Sequence, residues 1–208
     1  MSDIANVNQL AYVGRKPGSR DSDSWYTPAV YCEAVRQALG GVIDLDPFSS
    51  ELANRTVQAH RILTEADDAL VCPWPQVRTA FMNPPYSAGL CGKAIARFVQ
   101  EFRNGTFEEG IVLVNNATET RWFQQIARAA SALCFTDHRI QFESLDGKRS
   151  SNNTRGQCFL YLGPNPAPFA QVMSFGLITY LTPQASDNDQ LSLLGSDSKP
   201  GAAAQMAR

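Results

Sequence analysis

Residues 79–86, Thr-Ala-Phe-Met-Asn-Pro-Pro-Tyr, place an apolar run directly before an amide, two prolines and a phenol. The run has the length and composition of a buried strand. Each proline fixes φ at about −65° and removes an amide donor, so the corner that follows is stiff and rich in acceptors. The Asn83 side-chain oxygen and the Pro84 carbonyl can meet on one external group, and the group that suits them carries two hydrogens on a single atom. An exocyclic amino group does. In adenine that nitrogen is a poor nucleophile because its lone pair is delocalised into the ring. Accepting both hydrogens favours a tetrahedral nitrogen whose lone pair is directed in line at an electrophilic methyl group. Pro85 stiffens the corner, and Tyr86 offers a flat surface on which an extruded base can stack. The competing reading is a Pro-Pro turn with no ligand.

Such a corner needs a sheet to hold it. Between residues 25 and 182 strand-like runs alternate with helical patterns, which predicts an α/β sheet with crossover helices. Thr27 is placed to cap a helix that starts at Pro28 and ends at Gly40-Gly41. "GVIDLDPF" (41–48) predicts a buried strand that delivers Asp46 to the ligand edge of the sheet. "AHRIL" (59–63) is the candidate second strand, and "TAFM" and "GIVLV" (110–114) flank a helix marked by Ile95, Phe98, Val99 and Phe102. After a helix over roughly 119–130, "ALCFT", "RIQFE" and "QCFLYL" follow without room for crossover helices, so the sheet ends antiparallel. Residues 1–24 and 183–208 are polar and aperiodic. They are expected to be a flexible lead-in and a disordered tail around one domain at 25–182.

The motifs "DSWYTP", "DLDPFSS", "DDALVCPW" and "FMNPPYS", in that order, resemble the small phage-type DNA N-6-adenine methyltransferases, over roughly residues 23–163. The resemblance implies a class I methyltransferase fold, Rossmann-like and doubly wound, with a mostly parallel sheet and an antiparallel terminal strand. It implies S-adenosylmethionine as cofactor, double-stranded DNA as partner, and the cytoplasm of a phage or prophage host as location. Asn83, Pro84, Pro85 and Tyr86 become the catalytic quartet, with Asn83 also beside the cofactor. Trp25, Thr27 and Pro28 match the segment beside the methionine moiety, and Asp46, Pro47, Phe48 and Ser49 match the acidic-Pro-Phe turn. That turn lacks the usual GxG. Ser49 and Ser50 are small enough for their backbone N–H groups to approach the methionine carboxylate, while Asp46 faces the cofactor amino group. The competing reading has Asp46 capping its own turn. Glu65, Asp67 and Asp68 follow about twenty residues on, where an acid can hold ribose hydroxyls or the adenine amino group, and Asp68 is favoured. A solvated acidic loop is the alternative there.

Charge and composition set outer limits. The net charge of −2 supplies no field that attracts a polyanion, so nucleic acid has to be met locally. Residues 138–155 carry Arg139, Lys148, Arg149 and Arg155 against Glu143 and Asp146, four minus two or +2, in a turn-rich stretch suited to phosphate contact. An ordinary solvated hairpin is the alternative. The five cysteines lie far apart with no CxxC, which argues against a disulfide framework and against zinc; no metal is expected. The N-terminus shows no signal pattern and no stretch is long enough to span a bilayer, so a soluble cytoplasmic protein is expected. His60 and His138 are isolated. No Pro-Cys dipeptide is present, which disfavours cytosine ring-carbon methylation. Asparagine in first position tilts the reading towards adenine over amino-cytosine without deciding it. Three rivals remain: methylation of a release-factor glutamine, methylation of guanine in ribosomal RNA, and a DNA-binding relative without turnover.

Overall fold

The computed structural model describes residues 26–86, 89–143 and 153–184. Trp25, Lys148 and Arg149, the expected lead-in and nearly all of the expected tail lie outside these residues. At the tail's start, the Gln184 N–H donates to the Arg128 carbonyl (2.8 Å).

In chain order the elements are α1 (Ala29–Ala38), β1 (Leu45–Asp46), α2 (Glu51–Val57), β2 (Arg61–Ile62), β3 (Thr79–Met82), α3 (Leu90–Arg103), β4 (Glu109–Asn115), α4 (Arg121–Ala129), β5 (Ala132–Thr136), β6 (Gln157–Leu162), α5 (Ala167–Val172) and β7 (Gly176–Tyr180). The strands form one sheet in the order β2-β1-β3-β4-β6-β5-β7. β2, β1, β3 and β4 are parallel neighbours; β6 runs antiparallel between β4 and β5, and β7 closes the edge antiparallel to β5. This is the mostly parallel, doubly wound arrangement of a class I methyltransferase-like fold, with two antiparallel strands where one was expected.

Strand alternation divides the core into two layers. Phe81, Ile111 and Leu113 point to the side covered by α1 and α5, where Tyr31, Val35, Leu39 and Phe169 pack. Ala80, Met82, Val112 and Val114 point to the side of α3 and α4, against Ile95, Phe98, Phe123 and Ile126. α1 ends as read: Gly40 and Gly41 take positive φ, and the Gly41 N–H reaches back to the Arg36 carbonyl at 2.8 Å.

Two local expectations fail. Pro28 is the N-cap of α1 and the Thr27 side chain makes no capping bond. Its hydroxyl is engaged elsewhere, with Asn83. "RIQFE" is not a strand of the sheet; only Glu143 pairs, in an isolated antiparallel bridge with Tyr26. The polar groups of Ile140 go to side-chain amides instead, its N–H to Gln157 Oε1 (2.9 Å) and its carbonyl to Asn153 Nδ2 (2.9 Å). α5 and β7 are elements that the strand and helix periodicities did not mark.

The relative placement of β1 and β3 is set at their amino ends by Asp44. One carboxylate oxygen accepts from the Thr79 N–H (3.0 Å), the Thr79 hydroxyl (3.1 Å) and the Arg78 N–H (3.2 Å). Removing it strands the two donors of buried Thr79, where solvent reaches poorly. Asp44→Ala is expected to lower unfolding stability by about 2 kcal/mol, read as a shift in urea midpoint at unchanged m-value.

Candidate active site

β1 is flanked by β2 on one side and β3 on the other, so the chain reverses its winding direction between β1 and β3. In open α/β sheets the crevice beyond the carboxyl ends at such a reversal is where ligands bind. Asp46 is the last residue of β1, and Asn83 directly follows the last residue of β3. Two side chains singled out for chemistry therefore stand at the two lips of that crevice.

The asparagine is held by its nitrogen. Asn83 Nδ2 donates to Thr27 Oγ1 at 3.1 Å, and Thr27 is itself buried. Among the described residues nothing donates to Asn83 Oδ1 or to the Pro84 carbonyl. Pro84 and Pro85 are buried, and a buried carbonyl without a donor is costly. The corner thus keeps two acceptors for a ligand or water. Thr27 is steadied in turn by the reciprocal backbone pair between Tyr26 and Glu143 (2.7 and 3.0 Å).

Tyr86 is anchored by its hydroxyl, which accepts the Asn115 N–H at 2.7 Å. The ring is half-buried and meets Trp122 edge-on, with centroids 6.5 Å apart. The hydroxyl end is shut in: burial, with the nearby Cys91 thiol adding to it, pushes the phenol well above its ordinary value, while the Arg155 guanidinium pulls the other way. Arg155 is thus within electrostatic reach of the corner although its side chain is exposed.

Asp46 is 4% exposed. Burial raises its pKa from 3.8 to about 6, opposed by Ser49 and by the Phe48 N–H, which donates to Asp46 Oδ1 at 3.3 Å. The Ser49 hydroxyl is also buried. It lies near enough to favour the charged carboxylate, yet its geometry makes no hydrogen bond. The Ser49 N–H donates to the Leu63 carbonyl (3.0 Å), and the Ser50 hydroxyl caps α2 by accepting the Ala53 N–H (3.1 Å). The turn therefore does not offer the Ser49 amide to an anionic ligand group, contrary to the sequence expectation. It offers a carboxylate and a hydroxyl, which fit a ligand's amino group.

A family model described as DNA N-6-adenine-methyltransferase (Dam) matches residues 16–181. The chain belongs to this family. No curated protein matches it.

Asn83-Pro84-Pro85-Tyr86 follows β3 on one lip of the switch-point crevice, where Thr27 is bonded to Asn83, and Asp46-Pro47-Phe48-Ser49 leaves β1 on the other. Asp68 lies farther along, in the loop after β2, exposed and with positive φ; its Oδ1 accepts the Leu70 N–H at 3.2 Å. Asp67 caps the same loop through the Thr64 N–H and hydroxyl (both 2.8 Å), bonds that hold its pKa low. That loop is strapped to α3 by Arg97, which donates to the carbonyls of Leu70 and Cys72 (both 2.9 Å) and lies over Trp74. Arg139 and Arg155 are exposed on the two ends of the basic segment. His60 sits by Asp44 at the amino ends of the strands, and His138 bonds Tyr31 and Asp137 (2.6 and 2.5 Å). The sequence reading missed Thr27 as the partner of Asn83, and Asn115 and Gln157 as the residues behind Tyr86. Among the described residues no cluster of His, Cys, Asp or Glu is built to hold a metal ion, and no helix is long and apolar enough to cross a membrane.

The Asp46 shift fixes a pH dependence. Because the folded-state pKa is raised, its contribution to stability is fully present below 3.8 and is lost as pH rises through about 6. Between those limits the folded protein binds the extra proton. At pH 7 the buried charge costs roughly 3 kcal/mol. Asp46→Asn is expected to be more stable than the parent at pH 7, and to show a flatter dependence of urea midpoint on pH between about 4 and 6.

Proposed function

We propose that this protein transfers a methyl group from S-adenosylmethionine to the exocyclic amino group of adenine in double-stranded DNA. The observation that carries the reading is the Asn83 amide, tied by its nitrogen to Thr27 at the end of β3 and leaving Oδ1 free beside the Pro84 carbonyl. The buried Asp46 carboxylate and orphaned Ser49 hydroxyl across the crevice support the cofactor assignment.

In this reading Asp46 takes the ammonium of the cofactor's methionine moiety, with Pro47 and Phe48 shaping the turn and Thr27 and Pro28 alongside. Asp68 holds ribose hydroxyls. The cofactor supplies an electrophilic methyl on a sulfonium. Asn83 Oδ1 and the Pro84 oxygen accept the two amino hydrogens of an adenine stacked on Tyr86. The nitrogen lone pair forms the new C–N bond while the C–S bond breaks, its electron pair staying on sulfur. The amine then releases its extra proton to water. Asn83 is neutral, so it orients the amine and removes no proton. Arg139 and Arg155, with Lys148 and Arg149, take phosphates.

The deciding experiment incubates the protein with tritiated S-adenosylmethionine and unmethylated DNA, RNA or a release factor, then identifies the labelled atom. Label on adenine N6 in DNA is expected. Label on glutamine or guanine transfers the chemistry to the other substrates, and DNA binding without cofactor binding by titration calorimetry identifies an inactive relative. Asn83→Ala is expected to lower turnover on DNA by at least about a hundredfold while cofactor affinity changes little. Near-parental turnover refutes the role given to Asn83.

A further inference from the structure

Gln157 is 1% exposed at the start of a strand whose next five residues are all buried and mostly apolar. A carboxamide costs free energy in such a place unless every polar atom is paired. Here each is. Oε1 accepts the Ile140 N–H (2.9 Å), and Nε2 donates to Asn115 Oδ1 (3.1 Å) and to the Arg155 carbonyl (2.8 Å). Asn115 is its register partner on β4, and the Asn115 N–H is the donor that holds the Tyr86 hydroxyl. Arg155 is fixed at both backbone groups, since its N–H donates to Asn153 Oδ1 (3.1 Å) while Asn153 Nδ2 closes on the Ile140 carbonyl. Its guanidinium is exposed and has no partner among the described residues. The intervening Gly156 lies against Asn116, whose Nδ2 a Cβ would meet at 2.6 Å.

Resting on the roles given above to Tyr86 and Arg155, we propose that Gln157 is the positioning residue that keeps the base-stacking tyrosine and the phosphate-contacting arginine in register, acting through Asn115. One side chain joins three segments: the exit of β5 at Ile140, the end of β4 at Asn115 and the return of the basic segment at Arg155. An apolar residue would fill the space, but would leave the Ile140 N–H and the Asn115 Oδ1 unpaired.

Three variants test this: Gln157→Leu; Gln157→Glu, which keeps the acceptor for Ile140 and loses both donors; and Asn115→Ala, which removes the middle side chain and keeps the backbone donor to Tyr86. Thermal melts select those that fold. In each folded variant the KM for DNA is expected to rise about tenfold, the factor for losing one ordinary net hydrogen bond, with S-adenosylmethionine affinity unchanged. Arg155→Ala is expected to cost less DNA affinity in the Gln157→Glu background than in the parent, because the arginine is already misplaced. Parental KM for DNA in the folded variants, or strictly additive costs, overturns the proposal and leaves Gln157 a packing residue. Parental protein that transfers no methyl to DNA overturns the reading beneath it instead, and fluorescence anisotropy with duplex DNA then reads the Gln157–Arg155 coupling by itself.

Discussion

An asparagine side chain can present either a donor or an acceptor to a ligand, and the bond from Asn83 Nδ2 to Thr27 decides which. With the nitrogen engaged by the protein, the oxygen is the atom left over, and the Pro84 carbonyl follows it in the chain. The two prolines make that polarity durable, because they supply no competing N–H and their fixed φ resists any turn that would swing the amide around. Thr27 can serve as anchor only because it is spared from capping α1, and because Tyr26 is pinned to Glu143 on its other side. The acceptor corner therefore depends on three distant parts of the chain arriving together, and the packing of α1 against Phe81, Ile111 and Leu113 is what brings the first of them.

The lip opposite shares this acceptor character at a cost in stability. A carboxylate shut into the end of β1 with only the Phe48 N–H as a bonded partner among the described residues is an expensive group, and its raised pKa measures that expense. A cationic or hydrogen-rich ligand group that entered the crevice would relieve both Asp46 and the unpartnered Ser49 hydroxyl. Local instability at a site of this kind marks where the protein has kept interactions in reserve. The amino ends of the same strands show the contrasting case. There Asp44 meets three donors of Arg78 and Thr79, and a carboxylate of similar position becomes a fastener.

Much of this was legible in the residues. "TAFM", "ALCFT" and "QCFLYL" coincide with β3, β5 and β6 because short, largely apolar runs between turn formers have few alternatives to a buried strand. "GVIDLDPF" shrank to the two paired residues of β1, since Leu45 and Asp46 pair with β2 and only Leu45 pairs with β3 as well. "RIQFE" alternates like a strand, yet Asn153 and Gln157 satisfy the Ile140 backbone before another strand can. β7 was missed because it is an edge strand with Leu177 and Tyr180 exposed, so neither the apolar run nor the alternation of a half-buried strand is clean. The corner at the end of β3 was legible because the stiffness of two prolines is local. Thr27, Asn115 and Gln157 were not, because a hydroxyl or an amide announces nothing about a partner dozens of residues away.

The change from parallel to antiparallel strands across the sheet also divides its labour. On the parallel side each return to the carboxyl edge requires a crossover, so β1 and β3 end in short turns that packed helices hold in place. That is where a small ligand needs fixed geometry. Beyond β4, β6 pairs antiparallel with β5, an arrangement that needs no crossover helix between the two. The segment joining them, residues 137–156, can take basic residues, and can vary in length, without disturbing either core layer. Its base is held by backbone bonds, the Asn116 N–H to the Gly156 carbonyl (3.0 Å) and the Asp137 N–H to the Phe175 carbonyl (2.9 Å), and by side chains besides. Gln157 and Asn153 add side-chain bonds there, and the Thr136 hydroxyl lies within reach of the His138 and Gln157 carbonyls (2.7 and 3.0 Å). Rigid turns on one side and an amide-pinned segment on the other are the division that the proposed function calls for.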